Sequence, residues 1–442
     1  MKKRNKITII GGGPAGISCA YYANKDSVDF VLFESSGSLG GNCQTLKYND
    51  FYFDTGAHRL HNKDIETTLL MKQLLGKSLK KINVPSQIFR ENKFIDFPLS
   101  PISLLHYLGY YNFLKEGFKI IFSSIFNFKK PKNFYDFAVS RFGYNISQLF
   151  LLDYSKKLWG VDCKSLSISV SGNRLKGLSL YTMILEFIFG HKVKTKHLDG
   201  SFYYPDYGIG SIFDSLVKFC GSSNFYTNSK VTALHHTNNK IISIEINNDK
   251  LIEVDELIST MPLCILLNKL NPKPPDDILK ISKSIRFRNI VLICFFLKKD
   301  SINRNGSMYF PEEKYLFTRV YEPKNRSKHM SPLNKTSLIV EVPCQATDDI
   351  WSNSSDLIVK VKNDLIDIGF FLENDIIDSC VYKINNAYPI LELGFEKKLD
   401  AIFKYLNTIK NLNISGRNGL FQYTHIHDHM KNAREIFKSL IL

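Results

Sequence analysis

Apolar residues recur in two rhythms along the chain, and the rhythms sort it into elements. The run Ile7–Ile10 is short and wholly apolar, as a strand buried on both faces must be. Phe30–Phe33 repeats it, and a helical pattern lies between the two. Residues 48–54 alternate and read as one strand. Residues 64–75 carry helical spacing and stop at Gly76. Residues 88–97 predict a hairpin that turns at Arg90-Glu91-Asn92-Lys93. Residues 104–128 are dense in aromatic and apolar side chains, and 134–160 continue with helical spacing. Tyr203-Tyr204-Pro205 then leads through a glycine-rich turn into a helix. Strands are predicted at 230–234, 240–246, 251–254 and 256–260, with Asn/Asp turns in the first two gaps. Residues 283–298, 315–321 and 335–342 predict strands of one antiparallel sheet. Helices at 356–368 and 395–409, a strand at 412–416 and a closing helix complete the reading.

The first strand runs straight into Gly11, Gly13 and Gly16, which have GxGxxG spacing. In such a turn the first glycine permits the bend and the second lets a pyrophosphate approach the backbone. The third lets the helix pack closely on its strand. Helix N–H groups and the helix dipole, opening at Pro14 and Ala15, would face the anion. Glu34 ends the second strand, 18 residues after Gly16, where a carboxylate can accept from a ribose 2′-OH. Strand, glycines, helix, strand and acid in that order predict dinucleotide binding. The acid disfavours a 2′-phosphate, because like charges repel.

Beyond Glu34 come Gly40-Gly41-Asn42, Thr45 and then Gly56-Ala57-His58-Arg59. With these segments the chain resembles the glutathione-reductase-type flavoproteins. The resemblance is to the branch with amine oxidases, protoporphyrinogen oxidase and UDP-galactopyranose mutase. The resemblance implies FAD. It places Gly40, Gly41, Asn42 and Thr45 along the ribityl and pyrophosphate, and Gly56, Ala57 and His58 at the flavin ring, with His58 a catalytic candidate. It puts the Val231 backbone at the adenine. Gly416, Arg417, Tyr423 and Asp428 fall in a last motif, GRNGLFQYTHIHDHM, aimed at the ring's far edge. KKLWG and FTRVYEP lean toward the mutase side. By that likeness Trp159 lines the substrate cleft, and Arg174 and Arg319 clamp a diphosphate with two guanidinium forks. Trp159 also reads as a core anchor.

Composition narrows the alternatives. Hydrophobic content of 44% is ordinary for a globular protein. Eight scattered cysteines without a CxxC suggest neither zinc nor a redox dithiol and fit a reducing cytoplasm. The opening MKKRNKITII mimics a secretion signal, but the glycines follow at once, so it reads as the first strand. No run of ~18 apolar residues is free of charge, so no transmembrane segment is expected. The 104–128 stretch reads as a helix packed in a substrate-capping domain, with an interfacial helix and peripheral membrane contact as the alternative. The net charge of +16 is spread rather than blocked, and no nucleic-acid motif, GxSxG or GxxxxGK[ST] accompanies it. His425, His427 and His429 would share a face if that segment were a strand. No metal is expected there, since no acid or thiol cluster adjoins them and a flavin is expected in their place.

The expected fold is α/β: a glutathione-reductase-like FAD-binding Rossmann fold with a helical domain and an antiparallel substrate-cleft sheet. Its parts are expected at 1–61 (FAD), 62–200 (helical cap), 201–280 (FAD), 281–384 (sheet) and 385–442 (FAD). The expected function is FAD-dependent isomerisation of a nucleotide sugar between pyranose and furanose, in glycan or polysaccharide biosynthesis. A UDP-sugar would be the substrate and NAD(P)H an external reductant. The alternatives are an oxidoreductase of the amine oxidase or protoporphyrinogen oxidase type, and a non-catalytic flavin-fold escort protein.

Overall fold

The computed structural model describes residues 6–126, 130–171 and 201–441. Five parallel strands form the first sheet, in the order Leu412–Ile414, Glu256–Ser259, Ile7–Ile10, Phe30–Phe33, Phe225–Tyr226. The two apolar runs of the N-terminus are buried at every position, as a sheet covered on both faces requires. One face is covered by the helices Pro14–Lys25, Gly210–Cys220 and Ile426–Ile441. The other meets Leu263–Lys269, Phe395–Leu406 and a four-stranded sheet built on Val231–Thr237 and Lys240–Ile246. This α/β unit is therefore assembled from three stretches of sequence.

A seven-stranded, mostly antiparallel sheet stands beside it. Its order is Ile376–Pro389, Phe287–Leu297, Thr336–Cys344, Arg319–Tyr321, Ser307–Tyr309, Ser86–Arg90, Lys93–Phe97. Phe287–Leu297 and Thr336–Cys344 are its centre and are almost wholly buried. Helix Ser354–Asp367 packs on one face and the Thr45–Asp54 hairpin on the other.

Several expectations need correction. Residues 48–54 are not one strand: Thr45–Tyr48 and Phe51–Asp54 pair antiparallel around Asn49, whose φ of 50° makes the turn. The 88–97 hairpin forms as expected, with Glu91 and Asn92 at positive φ, but it joins the large sheet rather than the cap. The cap boundary at residue 62 is further breached by Leu79–Asn83, which pairs with Ser201–Pro205. Residues 283–284 close a helix, Asp276–Ser284, before the long strand begins at Phe287. The boundary at 384 cuts the strand Ile376–Pro389, which the sequence reading missed. Residues 134–160 are helical, and Pro101–Leu108 and Tyr110–Phe126 break at Gly109.

A buried aspartate ties the Thr45–Asp54 hairpin to the strand Ser201–Pro205 and to the large sheet. Asp54 accepts from Tyr204 (2.5 Å), Thr45 (2.6 Å) and the Ile209 N–H (3.0 Å), while its own carbonyl accepts from Tyr321 at 2.7 Å. Burial pushes its carboxyl up, against the hydrogen bonds that favour the charged form. Thr45, expected at the cofactor, is spent on this joint, since its hydroxyl also accepts from Gly210 N–H at 2.9 Å.

Candidate active site

One cavity of about 760 Å³ runs between the ends of the parallel strands and the large sheet. Gly11 turns the chain into it with φ of 100°, and a Cβ there would lie 2.2 Å from Thr260 Oγ1. Gly16 serves packing: a Cβ would sit 1.9 Å from the Gly11 carbonyl oxygen. Gly13 opens the helix with Pro14 at its first position, and both face the cavity. Gly41 crosses Gly13 so closely that a Cβ on it would meet Gly13 Cα at 2.9 Å. Glu34 lines the same end. One of its carboxylate oxygens accepts from Gly12 N–H at 2.6 Å and the other from Ser36 N–H at 2.7 Å.

Further in, Ala57 and His58 form the floor. Gly56, outside the lining, has φ of 153°, and a Cβ there would press on the His58 ring at 3.0 Å. Burial pushes the His58 imidazole down to about 3, helped by the positive charges of Arg417 and Arg319, so it is neutral. Its Nε2 is buried without a hydrogen-bond partner. The same is true of Asn418 Oδ1 and His429 Nδ1, and all three residues line the cavity. Unpaired buried polar atoms on residues that line one cavity leave hydrogen-bonding capacity that a polar ligand could use.

The wall opposite is aromatic. Trp159 meets Tyr388 and Tyr423 edge-on at 5.9 and 6.2 Å, and those two tyrosines stack at 5.8 Å. Trp159 is buried in a small core with Phe134 and Phe137 and also lines the cavity. Tyr154 and Tyr309 close the wall edge-on at 5.7 Å. Arg417 lies over Tyr423 and Tyr388, with Nη2 donating to the Thr424 carbonyl at 2.5 Å. Arg319 reaches this chamber from its strand. Its Nε and Nη2 donate to the two oxygens of Glu341 at 2.9 and 2.6 Å, leaving Nη1 without a partner among the described residues. Burial works against the guanidinium charge and Glu341 outweighs it, so Arg319 stays protonated.

The cavity thus gathers Gly11, Gly13, Pro14, Ala15, Glu34, Gly41, Asn42, Ala57, His58, Trp159, Arg319, Gly416, Arg417 and Tyr423. Gly40 supports it from outside, its N–H donating to the Gly12 carbonyl at 2.7 Å. Val231 lies away from it, buried at the start of a strand in the four-stranded sheet. Asp428 is outside the lining and caps its own helix by accepting from His425 N–H at 2.8 Å. His427 and His429 lie on that helix rather than on a strand, and the His425 and His427 rings stack at 5.6 Å. Arg174 is outside the described residues. Sequence reasoning missed Tyr154, Tyr309, Glu341, Tyr388 and Asn418. Two signals were present: Tyr154, Ser155, Leu158 and Trp159 share a helix face, and Glu341 is a lone acid in an apolar strand.

Glycine turn, capped acid, parallel sheet and flanking antiparallel sheet define a dinucleotide-binding flavoprotein. Residues 14–298 match the family of flavin containing amine oxidoreductases, and the chain belongs to that family. Its cofactor is FAD. The fold is similar to that of reduced UDP-galactopyranose mutase, with a TM-score of 0.85 at 20% identity over 98% of this chain and 94% of that one. It is also similar to cyclohexylamine oxidase from Brevibacterium oxydans, with a TM-score of 0.68 at 11% identity over 99% and 100%. Mitochondrial protoporphyrinogen oxidase of Nicotiana tabacum is 24% identical over 118 residues, 26% of this chain and 23% of that protein. A ferredoxin–NADP reductase of Lacticaseibacillus paracasei is 38% identical over 65 residues, 14% of this chain and 20% of the reductase. The match thus spans less than a quarter of either curated relative.

Proposed function

We propose that the chain is an FAD enzyme that rearranges a nucleotide sugar, in the manner of a UDP-galactopyranose mutase. The observation that carries this reading is the aromatic chamber with one open guanidinium edge. Trp159, Tyr154, Tyr309, Tyr388 and Tyr423 offer faces to a sugar and a base. Glu341 holds Arg319 by one edge, and Nη1 remains to donate to a diphosphate oxygen. Gly13, the helix N-terminus at Pro14 and Glu34 would hold the pyrophosphate and ribose of FAD. His58, neutral, would offer the ring a hydrogen-bonding edge rather than a charge. Bound FAD supplies the electron-rich ring that this chemistry needs in its reduced form.

A second reading has an observation of its own. Phe97, Leu99, Phe142, Ile146 and Phe150 line another arm of the cavity, which suits a greasy substrate and an oxidoreductase. Calorimetry of UDP with the FAD-loaded protein, oxidised and reduced, separates the two. The mutase reading expects reduced protein to bind UDP and Arg319→Ala to lose about 1.5–3 kcal/mol of that binding. It also expects UDP-hexose turnover only after anaerobic reduction, without consumption of the reductant. Failure of the reduced protein to bind UDP rejects it, and peroxide release with an apolar amine establishes the oxidoreductase.

A further inference from the structure

The helix Tyr110–Phe126 is mounted the wrong way round for a water-facing element. Its exposed stripe is aromatic: Tyr110 is 73% exposed, Tyr111 74% and Phe118 70%, with Leu114 between them. The inner face carries a carboxylate. Glu116 is 6% exposed and accepts from Lys119 at 3.0 Å and from Asn145 at 2.8 Å. The expectation of an aromatic helix packed inside a cap therefore fails for this stripe. A folded chain in water alone gains nothing by showing four large apolar residues in a row while burying an acid beside them.

We propose that this face docks on an anionic membrane surface. Charge selects a bilayer over a second copy of the chain. Between residues 101 and 132 there are five lysines and one glutamate, and the glutamate is the buried one. Lys115 lies exposed along the edge of the stripe, and Lys119, Lys130 and Lys132 are exposed too. Aromatic stripe and flanking lysines are the two parts of a helix lying in the plane of an interface, the rings among the acyl chains and the ammonium groups at the phosphates. A second copy would bring like charges together at the same face. The preceding helix, Pro101–Leu108, also exposes Ile102, at 55%. Its buried Leu104 packs in one cluster with Phe142, Ile146 and Phe150, the residues of the apolar arm of the cavity. Phe113 of the docked helix packs against the same cluster, so that helix lies over the arm. No helix among the described residues is long and apolar enough to cross a membrane, so this is contact from one side. The inference holds under either substrate reading.

Flotation of the FAD-loaded full chain with vesicles tests it. Vesicles of phosphatidylcholine containing phosphatidylglycerol should carry the protein up, vesicles of phosphatidylcholine alone should carry much less, and salt should weaken the binding. Tyr111→Ser with Phe118→Ser should reduce binding roughly tenfold or more. Lys115→Glu should reduce it on anionic vesicles only. Flavin absorbance and the thermal midpoint of each variant should match the parent, because these side chains face outward. Failure of the parent to float with anionic vesicles overturns the proposal. So does equal binding by the double variant, or a dimer in light scattering that the double variant dissolves.

Discussion

The Arg319–Glu341 pair can be broken from either end, and the two breaks should cost alike. Glu341 is 2% and Arg319 15% exposed at the side chain, and the shorter contact is 2.6 Å. Two unit charges at that distance attract by about 6 kcal/mol at an effective dielectric of about 20. Desolvation of both groups cancels much of this, so the pair adds little net stability. Removing one partner cancels nothing and leaves the other charge buried. Glu341→Gln should therefore destabilise the protein by about 3–5 kcal/mol, and Arg319→Met by a similar amount. Glu341 also accepts from Ala57 N–H at 3.2 Å, so its loss loosens the segment that carries His58. Arg319→Met with Glu341→Gln should cost much less than the sum of the singles, because no charge is then stranded. Urea unfolding of the four proteins, monitored by tryptophan fluorescence, closes the cycle. Singles that each cost below about 1 kcal/mol, or that simply add, would refute the view that Glu341 fixes Arg319 by charge.

Two further outcomes follow from the same geometry. Glu34→Ala should weaken FAD binding by about 1.5–3 kcal/mol while the fold persists, since it removes a charged acceptor and strands Gly12 N–H; unchanged affinity in a flavin titration would take Glu34 away from the ribose. His58 and His429 are each held down to about 3 by burial, whereas unfolded histidine binds protons below about 6.5. Their folded pKa values are the lower ones, so the stability they allow is present above pH ~6.5 and falls as pH drops toward 3. Each should cost about 2 kcal/mol at pH 5, and His429→Gln should flatten the melting curve's pH dependence by that much; an unaltered slope would mean the ring is solvated.

The nucleotide end of the site was legible because its chemistry is local. Gly11, Gly13, Gly16 and Glu34 act through backbone shape and one carboxylate within a single βαβ unit, and spacing alone identifies them. The aromatic end was not, because it is made by pairing. Arg319 could be singled out, but its restraint comes from Glu341, opposite it on the neighbouring strand, and register is a tertiary fact. Tyr388 was lost with its strand: in IIDSCVYKINNAYP polar residues interrupt the alternation, and the strand holds through its partner Phe287–Leu297. Thr45 misled because a hydroxyl near a glycine motif fits a cofactor and a buried Asp54 equally well.

The aromatic helix shows a different limit. Periodicity in residues 110–126 reports that one stripe is apolar; it cannot report which way the stripe points. That is decided by Glu116, which accepts from Lys119 one turn on and from Asn145, 29 residues on in a separate helix. A carboxylate held on the inner face commits the rings of Tyr110, Tyr111 and Phe118, and Leu114 with them, to the outside. Water is then a poor neighbour for them, and the lysines at 115 and 119 mark what a better one would carry: negative charge at its surface and hydrocarbon beneath. The same stripe turned inward would have needed Glu116 in solvent and no Asn145 to meet it.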